Sequence, residues 1–495
     1  MSAYKPIKKL VDSKPNDPFR YFMQRFAKGV MDVKNFNDVL RWVGMNEYPL
    51  ETDTGIYSVP YPNDERPDYL IGFSLINRTM SNGHDALGFT ISCAECHSSR
   101  LFGKTVLGLT NRFPKANETF VKVKKGLPAL DPLVFQMYSG ATEAESEMVA
   151  DAKKNLRSVA AIQPLQLGLD TSLAQVSLSL NMRNPDGYAT KSKHYENFPR
   201  PDMLDNFSAD SKPAVWWNLK YKNRWLSDGS VVSGNPIFTN ILWNEIGRGV
   251  DLKILEKWLD ENDQKIRELT SAVFSIEAPR ITDFFPAENI DLAKAQKGQV
   301  VFENTCARCH GHYDKAWDLP LAKQQSLAWQ LQTIKVRYPQ KTQVKDVGTD
   351  SNRYLGMKSL EKLNDLTISK NNNTVIKAQV GYVPPPLVGI WSRWPYLHNN
   401  AIPNLCALLT RASDRPQIYY ASAANDQKTD FDFQCNGYPL GDKTPDAWKK
   451  SEFRYNTKRE GMHATGHDEG IFLEDGKELL SVEDKMNLIT YLQTL

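Results

Sequence analysis

Apolar residues return at helical spacing in several stretches of the chain and alternate only in short runs. The clearest case is residues 291–310, DLAKAQKGQVVFENTCARCH. Leu292, Ala295, Gly298 and Val301 recur every three positions there, the stripe of a helix, behind Asp291 as N-cap. A terminal helix is predicted over 481–495, with Ser481 and Asp484 as a capping box and Leu488, Ile489, Tyr491 and Leu492 as its apolar face. Further helices are expected over 141–160, 239–246, 250–258 and 262–275, and one or two peripheral ones over 17–45 from Phe19, Phe22, Met23, Phe26, Val30 and Met31. Residues 68–78 (DYLIGFSLINR) read as a helix, and 103–126 as a small ribbon with β-like runs at 105–109 and 120–123. Polar, Pro-bearing stretches at 50–66 and 183–213 read as loops, and 279–289 as a linker between domains.

Composition narrows the class. With 495 residues, 41% of them hydrophobic, the chain has length for two or three domains with a sizeable core. The net charge is +3 and there is no long basic run, which argues against a nucleic-acid partner. No stretch approaches 18 apolar residues, so no membrane span is expected.

The chemistry lies in the cysteines. Cys306-Ala-Arg-Cys309-His310 ends the patterned helix, and Cys93-Ala-Glu-Cys96-His97 repeats the signature. Two thiols three residues apart can each add to one vinyl group of a porphyrin, and the histidine that follows is held beneath the iron. A zinc knuckle or a dithiol centre is the bland alternative for one copy, but zinc would want a further Cys/His pair nearby, which neither copy has. Two covalently attached c-type haems are therefore expected, with His97 and His310 as proximal ligands and a structural calcium ion as an additional candidate cofactor. Of six cysteines this leaves Cys406 and Cys435, read as a disulfide closing a loop of roughly 30 residues, worth ~3 kcal/mol in the chain-entropy model, or as two free buried thiols. Haem attachment to such a signature and a disulfide both suit a periplasmic or secreted protein. The first residues, MSAYKPIKKLVDSKPNDPF, lack a signal peptide's apolar core, so a signal is expected to have preceded them.

Eight histidines make the search for further ligands short. Beyond the proximal pair, His463 and His467 sit in a Gly-flanked loop ahead of the final helix, a good place from which to reach an iron. His312 is expected at a haem edge, and His84 and His194 lie in polar stretches. Met137, Met182 and Met203 are weaker candidates. Adjacent Trp216 and Trp217 either fill core beside a porphyrin or, with Trp225, wall an apolar pocket.

The run GYVPPPLVGIWSRWPYLHNNAIPNLCALL from Gly381, with Asp414-Arg415-Pro416 after it, resembles the C-terminal half of the dihaem cytochrome c peroxidase superfamily, and within it the rubber-oxygenase-like branch. Val347-Gly348-Thr349-Asp350 through Arg353 and Gly466-His467-Asp468-Glu469-Gly470 are similar to two other motifs of that branch, GTDPxR and GHxxG. The resemblance implies a mainly α protein of two cytochrome-c-like haem domains packed together (1–285, with peripheral helices, and 286–495), with long loops and a few short β-ribbons. It implies that His467 is the second ligand opposite His310, and that His398, a catalytic candidate together with Trp216 and Trp217, sits close to a haem. It also implies a haem-dependent oxidoreductase that activates dioxygen or hydrogen peroxide at an N-terminal haem with no strong distal ligand, while the C-terminal haem handles electrons. A dihaem peroxidase and a non-catalytic electron carrier are the alternatives. The expected partners are a small redox protein or a small-molecule substrate. Two positions depart from the branch: Asn400-Ala401 replaces its usual Gly-Ser, and Glu469 stands where it has an aromatic.

Overall fold

The computed structural model describes residues 2–12, 34–127 and 130–495. Most of the regular structure is helical, and the strands form small antiparallel groups. This fits the mainly α class.

The helix Leu292–Thr305 starts where its pattern says. Asp291 accepts a hydrogen bond from the Lys294 amide at 3.0 Å, and Ala295, Gly298 and Phe302 are its buried face. It crosses the terminal helix Val482–Leu492, which opens with the Ser481–Asp484 capping box. Gly298 sets the closeness of that crossing, since a Cβ there would fall 2.0 Å from the Asn487 carbonyl oxygen. Phe302 and Tyr491 pack beside it with ring centres 5.2 Å apart.

Around this pair lies the largest core. It runs from Leu101 and Val106 through Trp217, Phe284 and Phe285 to Trp391, Trp394 and Leu495. Residues 279–289 are thus not a solvated linker. They form short 3₁₀ turns whose Ile281, Phe284 and Phe285 point inward, because three large apolar side chains gain more by burial than a linker would by exposure. A second core joins the helices Ser172–Asn181, Pro236–Gly247, Leu252–Glu261 and Asp263–Ser275 to Met357, Leu360, Leu363 and Ile368. Both cores draw on residues from either side of position 285, so the two halves interlock.

Residues 68–78 hold no helix. Phe73–Thr79 is a strand paired with Asp85–Ile91, and Ser2–Ala3 adds to the far edge. The side chains Phe73, Leu75 and Asn77 share one face, a period of two, and Phe73 stacks on Phe89 at 5.3 Å. Of the ribbon expected over 103–126, the first run is in part a strand, Lys104–Leu107, but it pairs with Ser98–Leu101, and 120–123 belongs to the helix Ala116–Gly126. Glu118 and Lys122 pair across one of its turns, and Lys122 lies over the Trp42 ring, so helical contacts outweigh the β preference of Phe120 and Val121. The helices Glu143–Leu156 and, within the 183–213 loop, Lys193–Asn197 complete this part. Of the peripheral helices expected over 17–45, Phe36–Val43 is present, capped by Asn35; residues 13–33 lie outside the described residues.

Cys406 and Cys435 are disulfide-bonded. No helix among the described residues is long and apolar enough to cross a membrane.

Candidate haem centres

Each CxxCH signature folds into a single turn that leaves its histidine ring held from one side. In the second, the helix Leu292–Thr305 ends at Cys306, and Ala307–His310 makes one further turn, closed by Gly311 at φ 81°. The His310 Nδ1 lies 2.8 Å from the Pro385 carbonyl. A carbonyl can only accept, so Nδ1 carries the proton and Nε2 is left with its lone pair. Tyr313 fixes the backbone beneath by donating to the His310 carbonyl at 2.9 Å.

The first signature is built alike from different material. Cys93–Glu95 is a short 3₁₀ turn after the strand Asp85–Ile91, and the His97 Nδ1 donates to the Ala214 carbonyl at 2.7 Å. Glu95, between the two cysteines, is fully buried, and burial pushes its carboxyl up to about 7. Gly72 allows that packing: a Cβ there would come within 2.7 Å of the Glu95 backbone.

Facing His310 is His467. The two ring centres are 6.3 Å apart. Face-stacked rings stand closer, as His398 and Tyr382 do at 3.9 Å, while tilted packed rings reach similar distances, as Trp391 and Trp394 do at 6.4 Å. Two imidazoles bound to one metal from opposite sides, each with a bond of about 2.0 Å and roughly 1.1 Å more to the ring centre, have centres ~6.2 Å apart. The pair thus has the spacing of a bis-imidazole metal site. His467 Nδ1 is buried and has no hydrogen-bond partner. Burial pushes both imidazoles down to about 4, with Arg393 adding to the effect at His310 and His310 and Arg415 at His467. Both rings are neutral at pH 7, the form that ligates a metal.

The loop that carries His467 is tightly fixed. Gly466 and His467 both have positive φ, and a Cβ on Gly466 would fall 2.2 Å from the Val347 carbonyl oxygen. Arg415 donates to the Ala464 and Gly466 carbonyls, each at 2.7 Å, and the His467 amide donates to Val347. Glu469 points away, its carboxylate accepting from the Gly476 amide. Asn400, where the resembling family has glycine, takes φ 60° and donates to the Gly168 carbonyl; asparagine is among the side chains that tolerate this conformation.

The other histidines are engaged elsewhere. His463 Nδ1 is 2.9 Å from the Asp350 carboxylate, and exposed His312 pairs with Glu303. His398 stacks on Tyr382, and burial, with Arg353 and Lys212 beside it, holds its ring well below the usual range. It makes no ring contact with His97 or His310 among the described residues. His84 stands at the tip of the hairpin that ends beside Cys93, about 20 Å away by strand rise, and His194 lies exposed against Tyr195 and Phe198. Met137 is 80% exposed, and the Met182 sulfur accepts from Lys124. Met203 lies half-buried in a short 3₁₀ turn.

The three tryptophans do not gather around one pocket. Trp216 lies beside the His97 imidazole, ring centres 5.4 Å apart and the planes tilted by 35°. Trp217 is fully buried, and its indole N–H donates to the Val388 carbonyl. Trp225 packs with the second core. These contacts show a link that the cysteine motifs do not announce. Asn218 donates to the Pro386 carbonyl at 2.8 Å, next to the carbonyl that holds His310, while Ala214, four residues before Asn218, holds His97. The segments orienting the two histidines are thus hydrogen-bonded to each other. Ala214 and Pro385 were not recognisable as site residues, because they act through backbone carbonyls, and a proline just before each is the one local hint.

No group of three or more His, Cys, Asp or Glu side chains converges as a metal site among the described residues, so the calcium candidate has no residues assigned to it.

Residues 381–420, which include the Pro385 carbonyl and His398, match the RoxA-like, cytochrome c-like family. Two proteins of Sinorhizobium fredii are similar to parts of the chain. The uncharacterised protein y4iJ is 32% identical over 127 residues, 25% of this chain and 20% of its own length. The uncharacterised protein y4iM is 26% identical over 226 residues, 38% of this chain and 44% of its own length. The chain thus spans less than half the length of either relative.

Proposed function

We propose that the protein is a dihaem c-type cytochrome with oxidoreductase activity, in which the haem held by Cys93, Cys96 and His97 is the reactive one and the haem held by Cys306, Cys309, His310 and His467 passes electrons. The observation that carries the reading is the 6.3 Å separation of His310 and His467, set on the second of two CxxCH turns. The cytochrome c-like match around Pro385 supports haem binding from an independent direction.

When bound, haem supplies reversible one-electron chemistry and, where a coordination position stays open, a place for dioxygen or peroxide to react. The chain does the rest. Ala214 and Pro385 fix the proton of each proposed proximal imidazole on Nδ1, so that Nε2 would be free to hold a haem iron. His467 closes the second centre, which keeps exogenous ligands out and favours electron transfer. No described histidine stands opposite His97, and the histidines that might have served are bound elsewhere or lie at a distance. The first centre is therefore the one to which a small oxidant has access. Between them, the contact of Trp216 with His97 and the hydrogen bonds of Trp217 and Asn218 to Val388 and Pro386 give electrons a short packed route. Dioxygen or hydrogen peroxide is the proposed co-substrate, in the manner of the rubber-oxygenase-like branch, with a small redox protein as electron donor. A periplasmic or secreted location agrees with the Cys406–Cys435 disulfide.

The test is carried out on the purified holoprotein. Mass spectrometry under denaturing conditions should show two haem adducts, and carbon monoxide or cyanide should bind one reduced or oxidised haem and leave the other unchanged. Two irons that are both six-coordinate and inert in every redox state would make the protein an electron carrier and refute the enzyme reading.

A further inference from the structure

Between the two CxxCH turns the chain gathers four cations without an anion. Arg393 and Arg112 are buried, 8% and 5% exposed, and Lys212 and Lys222 are half-buried. They come from distant parts of the sequence: Arg112 and Lys212 bind the turn 392–395 that carries Arg393, and Lys222 lies near enough to Arg393 to feel its charge. Arg112 donates to the Ser392 and Trp394 carbonyls and stacks its guanidinium on the Trp394 ring at 4.3 Å. Lys212 donates to the Arg393 and Pro395 carbonyls. Arg393 donates from Nη1 to the Pro386 carbonyl, while its Nε is buried with no partner.

None of the four forms a salt bridge among the described residues, whereas buried Arg353, not far off, has the Asp228 carboxylate at 3.5 Å. Carbonyl dipoles soften a buried cation but do not neutralise it, and an uncompensated buried charge is among the costliest arrangements a fold can hold. The cations also act on each other. Burial and the neighbouring arginines push Lys212 well below the usual range, and burial and Arg393 bring Lys222 down to about 8.

The position of the cluster says what anion it suits. Arg393 is tied through Pro386 to the segment that holds His310, and it is close enough to depress that imidazole. Arg112 follows Asn111, whose amide donates to the Cys96 carbonyl of the first signature. The cluster therefore borders both proposed haem sites. Two haems bring two propionates each, a set of four carboxylates to meet four cations.

We infer that Arg112, Lys212, Lys222 and Arg393 form a shared seat for haem propionates between the two centres, and that their charge helps to set the reduction potentials. The inference rests on the dihaem reading above. A cation paired with a propionate disfavours the oxidised, more positive iron, so its removal should lower the potential.

The experiment is an optical potentiometric titration of holoprotein variants, together with redox-difference infrared spectra of protein whose haem carries ¹³C-labelled propionate carboxylates. Arg393→Gln should lower the midpoint potential of the haem at Cys306 and Cys309 and move the labelled carboxylate band. Arg393→Lys should restore most of both. Lys222→Gln, at a less buried position, should act in the same direction and keeps the test open if Arg393→Gln does not fold. With both haem adducts present in the mass spectrum, unchanged potentials and an unmoved labelled band in Arg393→Gln and Lys222→Gln would overturn this inference alone. Wild-type potentials that follow added acetate or chloride at constant ionic strength, with a labelled band indifferent to the substitutions, would overturn it in favour of a free-anion site. Absence of covalent haem would overturn the dihaem reading itself, before any potential is measured.

Discussion

Replacement of His467 by glycine separates the two proposed centres most directly. The ring stands 6.3 Å from that of His310, and no other imidazole is placed to take over: His463 is held by Asp350 and His398 by its stack on Tyr382. His467 has φ 55°, a conformation that costs a non-glycine residue roughly 1–2 kcal/mol and glycine almost nothing. Loss of the buried ring's packing costs about 2 kcal/mol, so the backbone relief offsets much of it and the loop held by Arg415 and Val347 should stay folded. Alanine would lose the ring without that relief, which makes glycine the cleaner variant. One of two irons, half of the haem signal, should change from low-spin to high-spin in electron paramagnetic resonance and optical spectra. The space left is that of an imidazole, so millimolar imidazole should return the signal of this haem to low-spin, whereas in the wild type only the haem at Cys93 and Cys96 is open to it. An unaltered low-spin signal in His467→Gly would refute the assignment of His467 as an axial ligand and, with it, the account of the 6.3 Å spacing.

Four further outcomes are expected. Cys306→Ala with Cys309→Ala should remove one haem adduct from the mass spectrum and leave the other. Gly298→Ala places a Cβ 2.0 Å from the Asn487 oxygen, and should destabilise the protein by about 1–3 kcal/mol or more, read as a lower midpoint in denaturant. Asn218→Ala should alter the spectra or potentials of both haems together, since it cuts the hydrogen bond between the two histidine-holding segments; a shift confined to one haem would count against that link. Burial opposes ionisation of Asp202, but Lys362, Ser359 and the Leu204 amide outweigh it and hold its carboxyl below the usual range. Its contribution is therefore present above the unfolded-state value near 3.8 and lost as pH falls through the lower folded value, and Asp202→Asn should cost about 1.5–3 kcal/mol at pH 7, a penalty that shrinks as pH falls below about 3.8.

What could be read from the sequence follows from how local each feature is. The helix Leu292–Thr305 and the terminal helix declare themselves through an N-cap, a stripe and a capping box, all within a few turns. The strand Phe73–Thr79 does not, because DYLIGFSLINR suits a helix as well as a strand and the choice is made by its partner, Asp85–Ile91. The helix Ala116–Gly126 was hidden for the opposite reason, since Phe120 and Val121 favour strands in isolation. Phe284 and Phe285 looked like part of a linker beside Pro279 and Pro286, yet Trp391, Phe431 and Phe102 come from elsewhere in the chain to bury them.

The same distinction runs through the candidate centres. Attachment of a porphyrin needs two thiols and an imidazole on one turn, so each signature is written in five consecutive residues. Everything opposite and around that turn is assembled from segments with no sequence proximity to it. His467 comes from a loop 157 positions beyond His310, by subtraction of their numbers; the Gly-flanked loop makes it a candidate ligand beside His463, and only the family resemblance singles it out. Ala214 and Pro385 act through carbonyls, which any residue possesses, so side-chain identity could not mark them. What the fold adds is that these unmarked groups are paired with each other: the segment after Ala214 donates from Asn218 and Trp217 to the carbonyls of Pro386 and Val388, just past Pro385. A displacement of either proposed proximal imidazole would have this hydrogen-bonded link as a path to the segment that holds the other, which the Asn218→Ala spectra test.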